Sequence, residues 1–286
     1  MPRSVPELIE LLDLEKIEDN LFRGTQPDTL LQRVFGGQVA AHALVAATNT
    51  VAEEYVVHSM HSYFLRPGDT KVPIVYDVDP LRDGRSFATR RVVARQHGRP
   101  IYFLTASFQK PEPGFEHQDT MPDVPPAEDC PSLGDLFSRR SPKHSDEWER
   151  EWAALEVRWA GDSQPDGQLD SSVHPAQARL WIRVNGELPD DPLLHRAAFT
   201  YASDMTLLGA TLVPHGVHIS SPSVQAASLD HTIWFHRPFR ADEWWLYDQQ
   251  SPSASGARGL AFGRVFTTDG TLVATVAQEG LVRPRD

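Results

Sequence analysis

A glutamine stands in an otherwise apolar row near the end of the sequence. Gln278 falls on the same face of a predicted strand as Leu272, Ala274 and Val276, because side chains alternate between the two faces of a strand. A buried amide needs hydrogen-bond partners, and it can donate and accept at once. Gln278 is therefore a candidate for orienting a polar reactant such as water. Its structural alternative is a hydrogen bond at the end of the strand.

Two other oxygen-bearing side chains are candidates for the same chemistry. Asp204 lies at the expected start of a helix over about residues 203–212, where a carboxylate can take a proton from water or simply cap the helix. Ser228 alternates with Asp230 and Thr232 on one strand face. From these residues alone, capping explains Asp204, and an ordinary polar strand position explains Ser228.

Cysteine and histidine patterns predict neither a thiol nucleophile nor a metal site. Cys130 is the single cysteine and lies among prolines, so it is interpreted as a free thiol. His58 and His61, like His231 and His236, are spaced so that strand alternation puts them on opposite faces. The sequence contains no Gly-x-Ser-x-Gly string and no Gly-rich phosphate-binding loop. We therefore expect no metal and no cofactor.

The composition predicts a folded, acidic protein. The chain has 286 residues, 40% of them apolar, and a formal net charge of −12. That charge disfavours general binding to nucleic acid or to anionic membranes. No apolar run approaches the roughly 18 residues of a membrane span, and the first residues lack a signal-peptide pattern. We expect a cytoplasmic protein with no nucleic-acid or membrane partner.

Two blocks in the first half of the chain recur in the second half. The string MHSYFLRP at 60–67 resembles HTIWFHRP at 231–238, and Gly98 and Gly270 follow these blocks at nearly equal distances. Each glycine belongs to a His-Gly or Asp-Gly pair that predicts a hairpin turn between long antiparallel strands. Two similar blocks in the same order indicate a gene duplication.

The repeats divide the chain into two domains of the α+β class. Residues 36–48 predict a buried helix, because small and apolar residues cover most of its faces, and strand patterns surround it. Six prolines fall within 111–131 and predict a linker. We expect an N-terminal domain over 1–115, a Pro-rich inter-domain linker over 116–175 and a C-terminal domain over 176–286.

Five strings resemble the acyl-CoA thioesterase II family. They are RVFGGQV at 33–39, HSMHSYFLRPGD at 58–69, YASD at 201–204, LDHTIWFHRP at 229–238 and AQEG at 277–280. The resemblance covers nearly the whole chain and is weakest in the linker. It implies a double hotdog fold, in which each half wraps a sheet around one helix. It also implies metal-free hydrolysis of medium- to long-chain fatty acyl-CoA, and a homo-oligomer that is a dimer or a tetramer.

The same resemblance implies a catalytic triad of Asp204, Ser228 and Gln278 that holds one water molecule. Many relatives carry threonine where this chain has Ser228, so the hydroxyl is retained and the methyl group that restricts χ1 is lost. Thioester hydrolysis needs an activated, oriented water and a stabilised oxyanion. Gly36 and Gly37 stand at a helix start that could supply an oxyanion donor, or they could serve close helix packing, and the donor stays unassigned.

A group of arginines in an acidic protein is a candidate site for the phosphates of coenzyme A. The group is interrupted by one acidic residue, Asp83, and consists of Arg82, Arg85, Arg90, Arg91, Arg95 and Arg99. A solvated strand face explains it equally well, so both interpretations stay open.

Two other functions are compatible with a hotdog fold. An enoyl-CoA hydratase would show an Asp-x-Asn-Pro-x-His string, and the nearest match, DPLLH at 191–195, has the wrong spacing and lacks the asparagine. A non-catalytic acyl-CoA-binding module is the other alternative, and the intact set of Asp204, Ser228 and Gln278 argues against it.

Overall fold

A computed structural model describes residues 1–138, 146, 148, 150–161 and 176–285. Within this part of the chain, thirteen strands form one continuous antiparallel sheet. The strands are β1 (Glu15–Glu18), β2 (Leu21–Gly24), β3 (Val56–Phe64), β4 (Ile74–Asp83), β5 (Phe87–Gln96), β6 (Arg99–Gln109), β7 (Leu155–Gly161), β8 (Gln177–Val184), β9 (Val224–Ser228), β10 (Asp230–Phe235), β11 (Trp245–Ser255), β12 (Arg258–Thr267) and β13 (Leu272–Pro284). The helices are α1 (Val5–Leu12), α2 (Gly36–Thr48), α3 (Leu133–Ser138) and α4 (Pro192–Ser203), and short 3-10 helices span Ala127–Asp129, Leu207–Thr211 and Val213–His215.

The strand order has the symmetry of a duplicated chain. One half runs β1-β2-β4-β5-β6-β3, and the other continues from the centre as β10-β13-β12-β11-β8-β7. The two halves join where β3 pairs with β10, with Met60 opposite Ile233. These are the two strands that carry the repeated sequence blocks. The duplication predicted from those blocks is therefore visible in the topology.

Helix α2 forms where the sequence predicts it, along the inner face of the first half of the sheet. Every residue from 37 to 47 is buried, because alanine and glycine let the helix axis approach the strands closely. His42, in the middle of the helix, contacts the hydroxyl of Tyr76 at 3.1 Å and the backbone oxygen of Leu11 at 2.6 Å. The ring thus ties α2 to β4 and to the end of α1.

The second helix corrects one prediction. The helix expected over about 203–212 instead ends at Ser203, and Asp204 is its C-cap rather than an N-cap. The helix begins after Asp191, whose side chain accepts a hydrogen bond from the backbone N–H of Leu193 at 2.8 Å, and Pro192 occupies its first turn. An aspartate followed by proline is a strong helix-start signal.

Both predicted hairpin turns are present. His97 and Gly98 have φ angles of 49° and 72°, so they connect β5 to β6 in the left-handed region that a two-residue hairpin requires. Gly270 has a φ of 85° between β12 and β13, and Asp269 accepts a hydrogen bond from the backbone N–H of Thr271.

The expected linker packs against the C-terminal half of the sheet. The indole N–H of Trp181 donates to the backbone oxygen of Pro125 at 2.8 Å, and Gln118 bonds the backbone of Gly270 and of Leu272. Strand β7 also lies within the span expected as linker and pairs with β8. Residues 139–145, 147, 149 and 162–175 of that span lie outside the described residues, and the domain limits stay a prediction. No helix in the described ranges is long and apolar enough to cross a membrane.

Candidate active site

Three side chains from separate elements meet at the C-cap of α4. The amide Nε2 of Gln278 donates to Oδ1 of Asp204 at 2.5 Å, and the hydroxyl of Ser228 donates to the same oxygen at 3.4 Å. Gln278 is fully buried, and the Asp204 side chain is 4% exposed. The structure therefore brings together the three residues that the sequence analysis singled out.

Strand pairing explains why Ser228 reaches this point. Its strand β9 pairs with β13 so that Ser228 lies opposite Gly280, two positions beyond Gln278. Gly280 has no side chain, and a Cβ there would lie 2.5 Å from the methyl groups of Leu208. The 3-10 helix that follows Asp204 can therefore lie directly on β13.

Asp204 also docks onto the first turn of α2, in the other half of the molecule. The backbone N–H of Gly37, in that turn, favours the ionised carboxylate and so opposes the rise in the pKa of Asp204. A Cβ on Gly36 would lie 2.5 Å from Oδ2 of Asp204, so only glycine leaves room for the carboxylate. The N-terminus of a helix stabilises negative charge. The site is thus built between the two halves of the chain.

The buried environment of Asp204 changes how readily its carboxylate binds a proton. Burial raises the pKa of Asp204 to about 6, against the opposing effect of the hydrogen bonds from Gln278, Ser228 and the N–H of Gly37. A carboxylate with this pKa is mostly ionised at pH 7 and is a better proton acceptor than an exposed aspartate.

His231 is a fourth member of the site that the sequence analysis considered only as a metal ligand. Its ring is fully buried, and Nδ1 lies 3.9 Å from Oδ1 of Asp204. Thr232 pairs with Ala277, which puts His231 opposite Gln278 on the inner face of the sheet. The signal that could have identified His231 is the one that identified Gln278. His231 is a polar residue on the buried, apolar face of its strand, which it shares with Ile233.

The pairs of histidines do not form a metal site among the described residues. The prediction that His58 and His61 point to opposite faces is wrong. The register of β3 shifts between residues 57 and 59, which inserts one extra residue and reverses the alternation. Both rings lie on the outer face, where His58 contacts the hydroxyl of Ser107 at 2.9 Å and His61 packs edge-on against Trp234.

One of the six arginines in the group is buried rather than on the surface. Arg90 is 3% exposed and bonds Asp83 and the hydroxyl and backbone oxygen of Thr50. It has a structural role at the C-terminal end of α2. That 13-residue helix separates it from Asp204 by about 20 Å. Arg91 is exposed and paired with Asp79 at 2.8 Å.

Both halves of the chain match models of one protein family. A model described as acyl-CoA thioesterase matches residues 159–281, and a model described as acyl-CoA thioesterase N-terminal domain matches residues 26–109. The two matches fall on the two halves of the sheet.

Proteins that resemble this chain over nearly its whole length are also acyl-CoA thioesterases by name. The chain is 42% identical to acyl-CoA thioesterase 2 of Haemophilus influenzae, over 96% of either chain. It is 41% identical to human acyl-coenzyme A thioesterase 8, over 96% of this chain and 88% of the human one. The crystal structure of an acyl-CoA thioesterase II, TesB2, from Mycobacterium marinum superposes with a TM-score of 0.82 at 46% identity, covering 98% of this chain and 99% of that one.

The fold and the matches define a double hotdog thioesterase. The chain belongs to the acyl-CoA thioesterase family. Both the family and the fold predicted from the sequence are thus confirmed, and the members named above are thioester hydrolases by name.

Proposed function

We propose that this protein hydrolyses fatty acyl-CoA to free fatty acid and CoA by direct attack of a water molecule that Asp204, Ser228 and Gln278 hold. The observation that supports it is the buried Asp204 carboxylate, one oxygen of which accepts hydrogen bonds from both Gln278 and Ser228. A preorganised base aimed at one point is what hydrolysis of a thioester requires.

The proposed reaction has two proton transfers. Water attacks the thioester carbonyl carbon while Asp204 takes one of its protons, which leaves a tetrahedral oxyanion and a protonated carboxyl group. The oxyanion then collapses, the carbon–sulfur bond breaks, and the proton held by Asp204 passes to the departing sulfur. The products are the fatty acid and CoA with a free thiol, and Asp204 returns to its ionised form.

Gln278 and Ser228 orient the reactants in this proposal. The Nε2 group of Gln278 binds Asp204, whereas its Oε1 is buried and has no hydrogen-bond partner among the described residues. A buried amide oxygen of this kind is suited to accept a hydrogen bond from a bound water molecule. Ser228 supplies a hydroxyl that can contact both the carboxylate and the water.

The finer parts of the proposal rest on the family resemblance of the sequence. They are a preference for medium- to long-chain acyl groups and a homo-oligomeric state. The cytoplasmic location is proposed instead from the composition, whose single cysteine suits a reducing compartment. An acyl-CoA substrate agrees with the names of the relatives, each an acyl-CoA or acyl-coenzyme A thioesterase.

The test is release of free thiol from a panel of acyl-CoA substrates, from acetyl to palmitoyl, with a chelator present throughout. We expect turnover of medium or long chains that the chelator does not change. Binding without thiol release would favour the non-catalytic module, and hydration of an enoyl-CoA without thiol release would favour the hydratase. Either result would overturn the proposal.

A further inference from the structure

His231 lies against the proposed base but makes no direct hydrogen bond to it. Its Nδ1 is 3.9 Å from Oδ1 of Asp204, too far for a hydrogen bond. This nitrogen is buried and has no hydrogen-bond partner among the described residues. The other ring nitrogen, Nε2, is 2.9 Å from the hydroxyl of Ser203. A buried unpartnered atom at a reactive carboxylate calls for an explanation.

The hydrogen bonds of Ser203 determine which ring nitrogen carries the proton. The Ser203 hydroxyl donates its one proton to the backbone oxygen of Thr200 at 2.9 Å. With that proton directed to Thr200, the same oxygen is free to accept from His231, which assigns the hydrogen to Nε2 and leaves Nδ1 as a bare lone pair. Burial keeps the ring neutral, because it lowers the pKa of His231 to about 3.

A bare lone pair beside a carboxylate changes the balance between the ionised and protonated forms of that carboxylate. The donors around Asp204, namely Gln278, Ser228 and the N–H of Gly37, favour the ionised form. Nδ1 of His231 has the opposite effect, since the negative end of the imidazole dipole faces the carboxylate at 3.9 Å and disfavours its ionised form. Among the described residues, the other titratable groups that face Asp204 are Tyr102 from β6 and Tyr247 from β11. Burial raises the pKa of both phenols, so they stay neutral.

We propose that His231 is a positioning residue for Asp204, whose bare Nδ1 faces the carboxylate and makes it a stronger base. The catalytic part of this inference rests on the proposed function. The electrostatic part is a property of the folded protein and can be measured without substrate.

The first test is the NMR titration of the Asp204 carboxyl carbon in the native protein, His231→Gln and Ser203→Ala. The glutamine amide can still reach Ser203 but presents no acceptor at the position of Nδ1. The Ser203→Ala variant keeps the imidazole and frees it to turn its N–H toward Asp204, and alanine suits the helix. We expect the pH at the midpoint of the Asp204 titration to fall by about half a pH unit to one pH unit in both variants.

The ring nitrogens of the native protein give a direct second reading. Their 15N chemical shifts should show the neutral Nε2–H form of His231. This measurement needs no substitution, so a variant that fails to fold cannot affect it. A proton on Nδ1 in the native protein would overturn the inference. An unchanged Asp204 midpoint in either folded variant would overturn it too.

Activity separates this inference from the proposed function. In both variants the acid limb of kcat should move to lower pH with the Asp204 midpoint, and kcat at pH 7 should fall about three- to tenfold because a weaker base transfers the proton less well. Native protein that releases no thiol would overturn the proposed function and the catalytic part of this inference, whereas the electrostatic part would still be decided by the titration of Asp204. A folded His231→Gln variant with native kcat and a native pH profile would overturn the role of His231 alone.

Discussion

Gly36 and Asp204 belong to different halves of the chain and lie against each other at the candidate site. A Cβ on Gly36 would be 2.5 Å from Oδ2 of Asp204 and 2.9 Å from the ring of Phe64. The helix of one half can therefore present its N-terminus to the carboxylate of the other half only through a residue without a side chain. The proposed base depends on both halves of the duplicated chain.

Replacing Gly36 by alanine should displace Asp204 without unfolding the protein. Alanine favours a helix by up to about 1 kcal/mol over glycine, but here its methyl group would push the carboxylate away from Gln278. We expect kcat to fall by about tenfold to a hundredfold, the range expected when a catalytic group is misplaced by about 1 Å. Gly209→Ala is the matched control, because an added Cβ there meets open space. Equal rates for the two variants would contradict the close approach.

Ser228 gives a prediction about the type of mechanism. If its hydroxyl only orients water, Ser228→Ala should lower kcat about tenfold, the approximate effect of losing one hydrogen bond of about 1.4 kcal/mol. Ser228→Thr should keep native activity, because the hydroxyl stays and its χ1 angle is more restricted. A covalent role would instead show as an acyl-enzyme in a rapid quench of the native protein and as loss of nearly all activity in Ser228→Ala.

The rate should depend on pH through Asp204. Burial raises its pKa to about 6, and the proposed base must be ionised in the free enzyme. We expect kcat/KM to be constant near pH 7.5 and to fall about tenfold per pH unit below about pH 6. A profile that stays flat down to pH 4.5, in protein that remains folded, would exclude Asp204 as the essential base.

The ionisation of Asp204 should also affect folding stability: the ionised form that the proposed reaction needs is the form that destabilises the native state. The folded pKa of Asp204 is raised from 3.8 to about 6, so the native state binds this proton more tightly than the unfolded state does. Its contribution to stability is full below about pH 3.8 and is lost as pH rises through about 6. The unfolding free energy of Asp204→Asn, relative to native, should therefore improve by about 2 kcal/mol between pH 4 and pH 8. Urea titrations at both pH values measure it, and a difference that does not change with pH would contradict the buried charge.

Much of this architecture could be predicted from local sequence patterns. The small, apolar run of α2 and the turn at Gly98 are determined by residues close in sequence, and the repeated blocks predicted the duplication that the strand order shows. The start of α4 could also have been read from Asp191 and Pro192, and placing the helix too late made Asp204 look like an N-cap.

Other features depend on contacts between distant residues and were therefore missed. The bulge at His58 follows from how β3 fits β6, and no local signal marks it. Arg90 looked like a surface charge because its partner at Thr50 lies on another element. The contact of His231 with Asp204 exists only because the end of α4 meets β10. The candidate triad itself came from family strings, since strand periodicity alone distinguished only Gln278.

The most direct test of the central claim compares thiol release by Asp204→Asn and Asp191→Asn at pH 8 with a long-chain acyl-CoA. The control changes the same residue type at the other end of the same helix, where asparagine is an equally good cap. If Asp204 is the base that activates water, its variant should lose at least about a hundredfold in kcat while the control keeps native activity. A folded Asp204→Asn protein that releases thiol at nearly the native rate would contradict the account.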